Sequence, residues 1–211
     1  MSSLLRQVMH ELSQVIDWSG GHSSGEALAV PALVDEGHRE LLAAHDGLIA
    51  LDSGLRCFGI TTRVLPSIAS WNSPDGWRSA YRTLADGLLF FAEDVFGNQF
   101  CYEERGIVRF HAETGEREFM ADSFEEWLQA VLSDPDEELG RWLLREWRRP
   151  GNTVQPEQHL CPKMPFVTGG PFEPSNLYAL DRNESMTFKG DFAWQIRNVP
   201  TGGKIRMKVT D

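Results

Sequence analysis

Glu93 and Asp94 are adjacent carboxylates, residue types that could do acid–base work. They stand in a strand-like setting, where successive side chains point to opposite faces, so they cannot flank one substrate as an acid/base pair. Surface acids at a strand end are the better account. His111 and Glu113, two residues apart, permit a hydrogen-bonded imidazole–carboxylate pair, the orienting half of an acyl-transfer site. The nucleophilic half is missing: there is no Gly-x-Ser-x-Gly elbow and no cysteine in a recognisable nucleophile setting. His38 and His45 lie seven apart without a Cys, Asp or Glu at the reinforcing spacing of a known zinc motif, which favours structural histidines. Gly202-Gly203-Lys204 is not followed by Ser or Thr, and the Gly/Ser loop over 18–26 lacks the Gly-Lys-Ser/Thr ending of a phosphate loop. The expectation is a protein without catalytic residues, cofactor or metal.

The elements around these residues are clearer than their chemistry. Residues 88–91 form an apolar, aromatic run of the kind buried on both faces of a sheet. Gly97-Asn98 then turns the chain into 99–102, where polar and apolar residues alternate. Arg105-Gly106 marks the next turn, Ile107, Val108 and Phe110 a third strand, Thr114-Gly115-Glu116 a third turn, and 117–120 a fourth strand. Connections this short require antiparallel pairing. Asp122-Ser123 stands at a helix N-cap, with Glu125 and Glu126 complementing the dipole of the first turn. Phe124, Trp127, Leu128, Val131 and Leu132 recur at helical spacing, so this helix can lay one apolar face on the sheet.

The run FFAEDVFGNQFCYE, followed by the IVRF strand, the TGE turn and ADSFEEWL, resembles the core signature of the SUKH superfamily. Upstream, residues 36–47 and the block Leu55-Arg56-Cys57-Phe58-Gly59-Ile60 are similar to that family's early helix and first strand. The family includes a fungal cell-wall regulator of the Smi/Knr type and many bacterial immunity proteins. The resemblance implies an α+β domain, with helices packed on a central twisted antiparallel sheet, that acts by binding protein, commonly a toxin. It supplies no catalytic residues. An immunity protein that neutralises a cognate toxin is the first expectation, and a regulatory adaptor of the Smi/Knr type with a cellular partner is the second.

Charge taken alone is read as a solvated acidic surface that keeps the protein soluble; beside the family resemblance it agrees with the first expectation. The formal net charge is −11, and acids far outnumber bases between residues 84 and 146. Without a broad basic stripe, nucleic-acid binding is disfavoured, and an acidic face can steer a basic partner, such as a nuclease toxin, to itself. The candidate partner-binding set is Glu93, Asp94, Glu103, Glu104, Glu113 and Glu116, with Phe96 and Tyr102 as aromatic anchors. Trp18, Trp71 and Trp77 are marked because Trp is enriched among interface hot spots, while most of the seven Trp are read as core residues.

The remaining chain is expected to be one domain over 1–150 with a C-terminal extension over 151–211 packed on it, the boundary set by Pro150-Gly151. Helices are expected over 4–16, 35–45, from Ser73-Pro74, over 134–148 and over 184–198, the last weakened by Gly190. Strands are expected over 55–61, near Phe166-Val167, over 176–180 and after the 201–203 turn. Ile49 is assigned to the core side of the second helix. Residues 4–16 carry Arg6, His10 and Glu11 and so are not read as a signal peptide, and no run has the length of a membrane span. Cys57, Cys101 and Cys161, odd in number and widely spaced, are read as reduced core thiols in a cytoplasmic protein.

Overall fold

A computed structural model of the chain describes residues 2–22, 34–61, 64–200 and 202–203. Seven strands lie in one sheet in chain order: β1 (Ile16–Ser19), β2 (Leu48–Ala50), β3 (Leu55–Cys57), β4 (Leu89–Asp94), β5 (Gln99–Glu103), β6 (Gly106–Phe110) and β7 (Arg117–Ala121). Every neighbouring pair is antiparallel. The mixed α+β architecture with an antiparallel sheet is the one expected, and the three hairpins from β4 to β7 fall at the turns the sequence marks.

Helices cover both faces. On one, α1 (Ser3–Ser13), α2 (Glu36–Ala44) and α5 (Phe124–Ser133) enclose Phe91, Phe100, Tyr102 and Ile107 together with Trp127. On the other, the short α3 (Ile68–Trp71) and α4 (Arg78–Tyr81) and the long α8 (Arg182–Ile196) enclose Phe90, Cys101, Val108 and Phe110. Two covered faces explain why residues 89–92 of β4 are all apolar and do not alternate. Ser123 caps α5 by accepting from Glu126 N at 3.3 Å, as its N-cap position requires.

Several boundaries differ from expectation. The first helix ends at Ser13, and Ile16 opens β1. Ile49 lies on β2, not on a helix. With four and three residues, β1 and β2 are too short to show a period-two pattern. The helix expected over 134–148 is two, α6 (Pro135–Leu139) and α7 (Arg141–Arg148), because Gly140 sits at φ +60° between them. Downstream, β8 (Gln158–Pro162) was not foreseen and pairs with β9 (Leu177–Asp181) in a separate ribbon. Phe166-Val167 belongs to a 3-10 turn, not a strand.

Gly190 does not weaken α8. Any Cβ there would lie 2.7 Å from the Tyr81 ring and 2.9 Å from the Ala80 Cβ, so the missing side chain is what lets α4 and α8 pack closely. The strand expected beyond 203 lies outside the described residues. A third apolar cluster, including Val95, Leu144, Trp147, Leu160 and Leu177, joins α7 and the β8–β9 ribbon to the β4–β5 turn, and Leu160 N donates to Val95 O at 2.8 Å.

Candidate partner-binding cleft

Glu93 proves to be the centre of a buried charge cluster and not a surface acid. Its side chain is fully enclosed, with Arg182 Nε 2.8 Å from Oε1, Arg56 Nη1 at 3.6 Å and His159 Nε2 3.1 Å from Oε2. Gln99 Nε2 donates to Oε2 at 3.1 Å, and Gln99 Oε1 accepts from the Trp71 indole N–H at 2.7 Å. Burial alone would raise the Glu93 carboxyl, but Arg182, His159 and Arg56 outweigh it and hold the group well below the usual carboxylate range. Burial pushes His159 down to about 4, against the pull of Glu93, and Arg56 down to about 10. The cluster is thus a neutral imidazole, one carboxylate and two guanidiniums. Arg56 also donates to Gln158 O at 2.5 Å, and Arg182 donates to Pro156 O.

Ser185 Oγ lies 3.1 Å from His159 Nδ1, so Ser185, His159 and Glu93 form a hydroxyl–imidazole–carboxylate chain. All three are completely buried. A nucleophile must meet its substrate, and Ser185 faces only protein, so the chain ties α8 and β8 to the end of β4. Its residues are too scattered for any motif to reveal it.

Two further members of the candidate set are also corrected. Asp94 is buried: its Oδ1 accepts from Phe96 N and Asn98 N at 2.8 and 2.9 Å, and Oδ2 from Asn98 Nδ2 at 2.8 Å. It is the internal staple of the β4–β5 turn, and burial raises its carboxyl despite those bonds from Asn98. Tyr102 is buried with its hydroxyl 3.2 Å from His38 Nδ1, in a group of stacked rings that includes Phe124. Neither can anchor a partner on the surface. Trp71 and Trp77 are likewise core residues, and Trp18 packs partly buried against the same cluster. His111 faces Glu118, 3.2 Å away, in place of Glu113.

What the fold does bring together is a cleft of about 490 Å³. Its floor is the end of the sheet where the β4–β5 and β6–β7 turns lie, carrying Asp94, Phe96, Glu113 and Glu116 of the candidate set. One wall is α6 and the start of α7, with Glu137, Glu138 and Trp142; the other comes from the 162–172 segment and α8, with Phe166, Val167, Phe172 and Lys189. Trp142 and Phe172 are exposed by 42% and 61%. Glu113 accepts from Val167 N at 2.9 Å, bonding sheet end to far wall, and burial raises its carboxyl against that bond. Glu103 and Glu104 stand apart at the β5–β6 turn, the other end of those strands, where Glu103 pairs with Arg117 at 2.6 Å. A continuous helix over 134–148 would set Trp142 in one apolar stripe with Leu139, Leu143 and Trp147; the break at Gly140 turns it outward.

Among the described residues no group of three or more His, Cys, Asp or Glu side chains is arranged to hold a metal ion. None of their helices is long and apolar enough to cross a membrane. The three cysteines are free and buried.

This is a mixed α+β domain built on one antiparallel sheet, and its fold is similar to that in the crystal structure of Atu4351 from Agrobacterium tumefaciens, with a TM-score of 0.56 and 15% identity over 85% of this chain and 86% of that one. That likeness concerns the fold alone. Residues 32–130 match the SMI1 / KNR4 family (SUKH-1), and the resemblance to the SUKH superfamily drawn from the central residues therefore holds. The family points to an immunity-protein-like or Smi1-type domain. No curated protein matches the chain. The family match ends within α5, so both walls of the cleft lie beyond it.

Proposed function

We propose that this is a non-enzymatic immunity protein that binds a basic, nuclease-like toxin in the cytoplasm and neutralises it stoichiometrically. The observation that carries the reading is the cleft, where Glu113, Glu116, Glu137 and Glu138 face, among the described residues, two cationic side chains, Arg109 and Lys189, between exposed aromatic rings. The family match supports a protein-binding role, and a carboxylate-rich rim accelerates the approach of a basic partner. In this reading residues 1–150 are the binding domain and 151–211 an extension that completes the binding face. Of the original candidate residues, Phe96, Glu113 and Glu116 remain in that face; Glu137, Glu138, Trp142 and Phe172 join it.

The test is capture followed by a growth assay. The protein, immobilised and exposed to lysate of its source at low and high salt, should retain one basic protein in equal amount, and less of it at high salt. That protein, expressed alone, should arrest growth, and co-expression of this chain should restore it. Retention of a non-toxic housekeeping protein would overturn the immunity reading in favour of a regulatory adaptor.

A further inference from the structure

We infer that the cleft is a socket for a single arginine side chain of the partner, and that the aromatic wall beyond residue 151 selects an apolar residue next to it. The inference rests on the protein-binding reading above. Charge comes first: no ion pair holds Glu113, Glu116 or Glu137 among the described residues, whereas the cations of the cleft are already committed. Arg109 bonds Glu118 and Glu138, and Lys189 Nζ donates to Phe96 O at 2.5 Å. The cleft therefore carries carboxylates that no ion pair among the described residues neutralises.

Its aromatic surface narrows the choice of cation. Phe166 and Phe172 are stacked with centroids 4.2 Å apart and Trp142 stands on the opposite wall. A guanidinium can lay its face on such a ring and donate from its edge to carboxylates, whereas an ammonium is a strongly hydrated point charge without a face to stack. The protein satisfies its own arginines in the same way. Arg109 lies 5.8 Å from the Phe100 centroid while pairing with Glu118 and Glu138, and Arg182 lies 5.6 Å from that of Trp71 while pairing with Glu93.

The apolar neighbour follows from continuity. Glu113, Pro162 and Lys189 border both the cleft and a shallow depression that leads to Phe188, itself 53% exposed. An arginine seated in the cleft places the next residues of its segment along this aromatic strip. A volume of about 490 Å³ is in the range that holds one compact group, roughly 300–1,000 Å³.

The probes are the peptides acetyl-Leu-Arg-Leu-amide, acetyl-Leu-Lys-Leu-amide and acetyl-Leu-Gln-Leu-amide, titrated while the Trp142 indole N–H is followed by NMR. The arginine peptide should bind about tenfold more tightly than the glutamine peptide and several-fold more tightly than the lysine peptide. E137Q should weaken it roughly fivefold and F172S about tenfold, with unchanged thermal melts because both side chains are exposed. Equal binding of the three peptides, indifference to F172S, or no shift of Trp142 would overturn the socket. The same variants in the growth assay separate this inference from the function beneath it. A null peptide result with growth still rescued removes the socket and leaves the immunity reading, whereas peptide binding without capture of any toxic protein does the reverse.

Discussion

Replacing Glu93 with glutamine removes one negative charge and almost no volume from a site that holds two guanidiniums. In E93Q, Arg56 and Arg182 would share a buried pocket with no counter-charge, Arg182 losing its 2.8 Å contact and Arg56 its 3.6 Å one. Breaking a buried pair by removing one partner typically costs about 3–5 kcal/mol. Neither arginine can escape to water, because Gln158 O and Pro156 O hold their tips within the fold. At roughly 2–4 °C per kcal/mol for a chain of this size, the melting temperature should fall by about 6–20 °C. Intrinsic fluorescence during urea unfolding is a suitable assay, since Trp71 donates to Gln99, which bonds Glu93, and its ring lies under Arg182. The double variant E93Q/R182M, which removes one stranded charge as well, should recover part of the loss, with a coupling above about 1 kcal/mol. A melt of E93Q within about 2 °C of the parent, or losses in the two single variants that simply add, would refute the account of Glu93 as the counter-charge of this cluster.

Acid should destabilise the fold earlier than carboxylate titration alone would. His159 and His38 are held neutral at about 4 and about 3, below an ordinary value near 6.5, so the unfolded chain binds protons that the folded one refuses once pH falls below about 6.5, and stability declines at up to about 1.4 kcal/mol per pH unit for each histidine. Glu93, whose pKa is depressed, adds a further loss below the ordinary carboxylate range, while the raised Asp94 and Glu113 act in the opposite sense. Urea unfolding at pH 7.5, 6 and 5 checks this; equal stability at all three excludes it. G190A should cost about 1–3 kcal/mol, because its Cβ must displace the Tyr81 ring, and a melt equal to the parent's would show that α4 and α8 can part freely. E116K/E137K should slow association with the captured toxin several-fold and flatten its salt dependence, measured by stopped flow. E104K, at the other end of the sheet, should do neither.

The hairpins from β4 to β7 were legible because their information is local. Gly97-Asn98, Arg105-Gly106 and Thr114-Gly115 each punctuate strands that pair with their immediate neighbours. β1 and β2 pair across a gap of some thirty residues, and their few positions carry no period of their own. The burial of Glu93 was illegible for a related reason. A carboxylate is read as exposed unless its counter-charges are in view, and Arg56, His159 and Arg182 come from β3, β8 and α8. The cleft was half visible. Phe96, Glu113 and Glu116 were picked out because they sit on recognisable turns, while Trp142 was missed because a helical stripe was drawn straight through Gly140. That glycine was the available signal, since a glycine inside a helical pattern marks a stop as readily as a tolerated defect.

The two ends of the cleft's construction are also separated in time. During synthesis the floor, made by the β4–β5 and β6–β7 turns, is complete well before the segment from Pro162 to Lys189 has been made. At roughly 5–20 residues per second, seconds pass in which Glu93 and Arg56 wait for Arg182. A nascent chain, or one cut short before Pro162, lacks the far wall of its cleft. On the proposed reading, a partner meets the complete binding face only once α8 has been made, so the supply of competent protein lags the supply of message by the time needed to translate that helix.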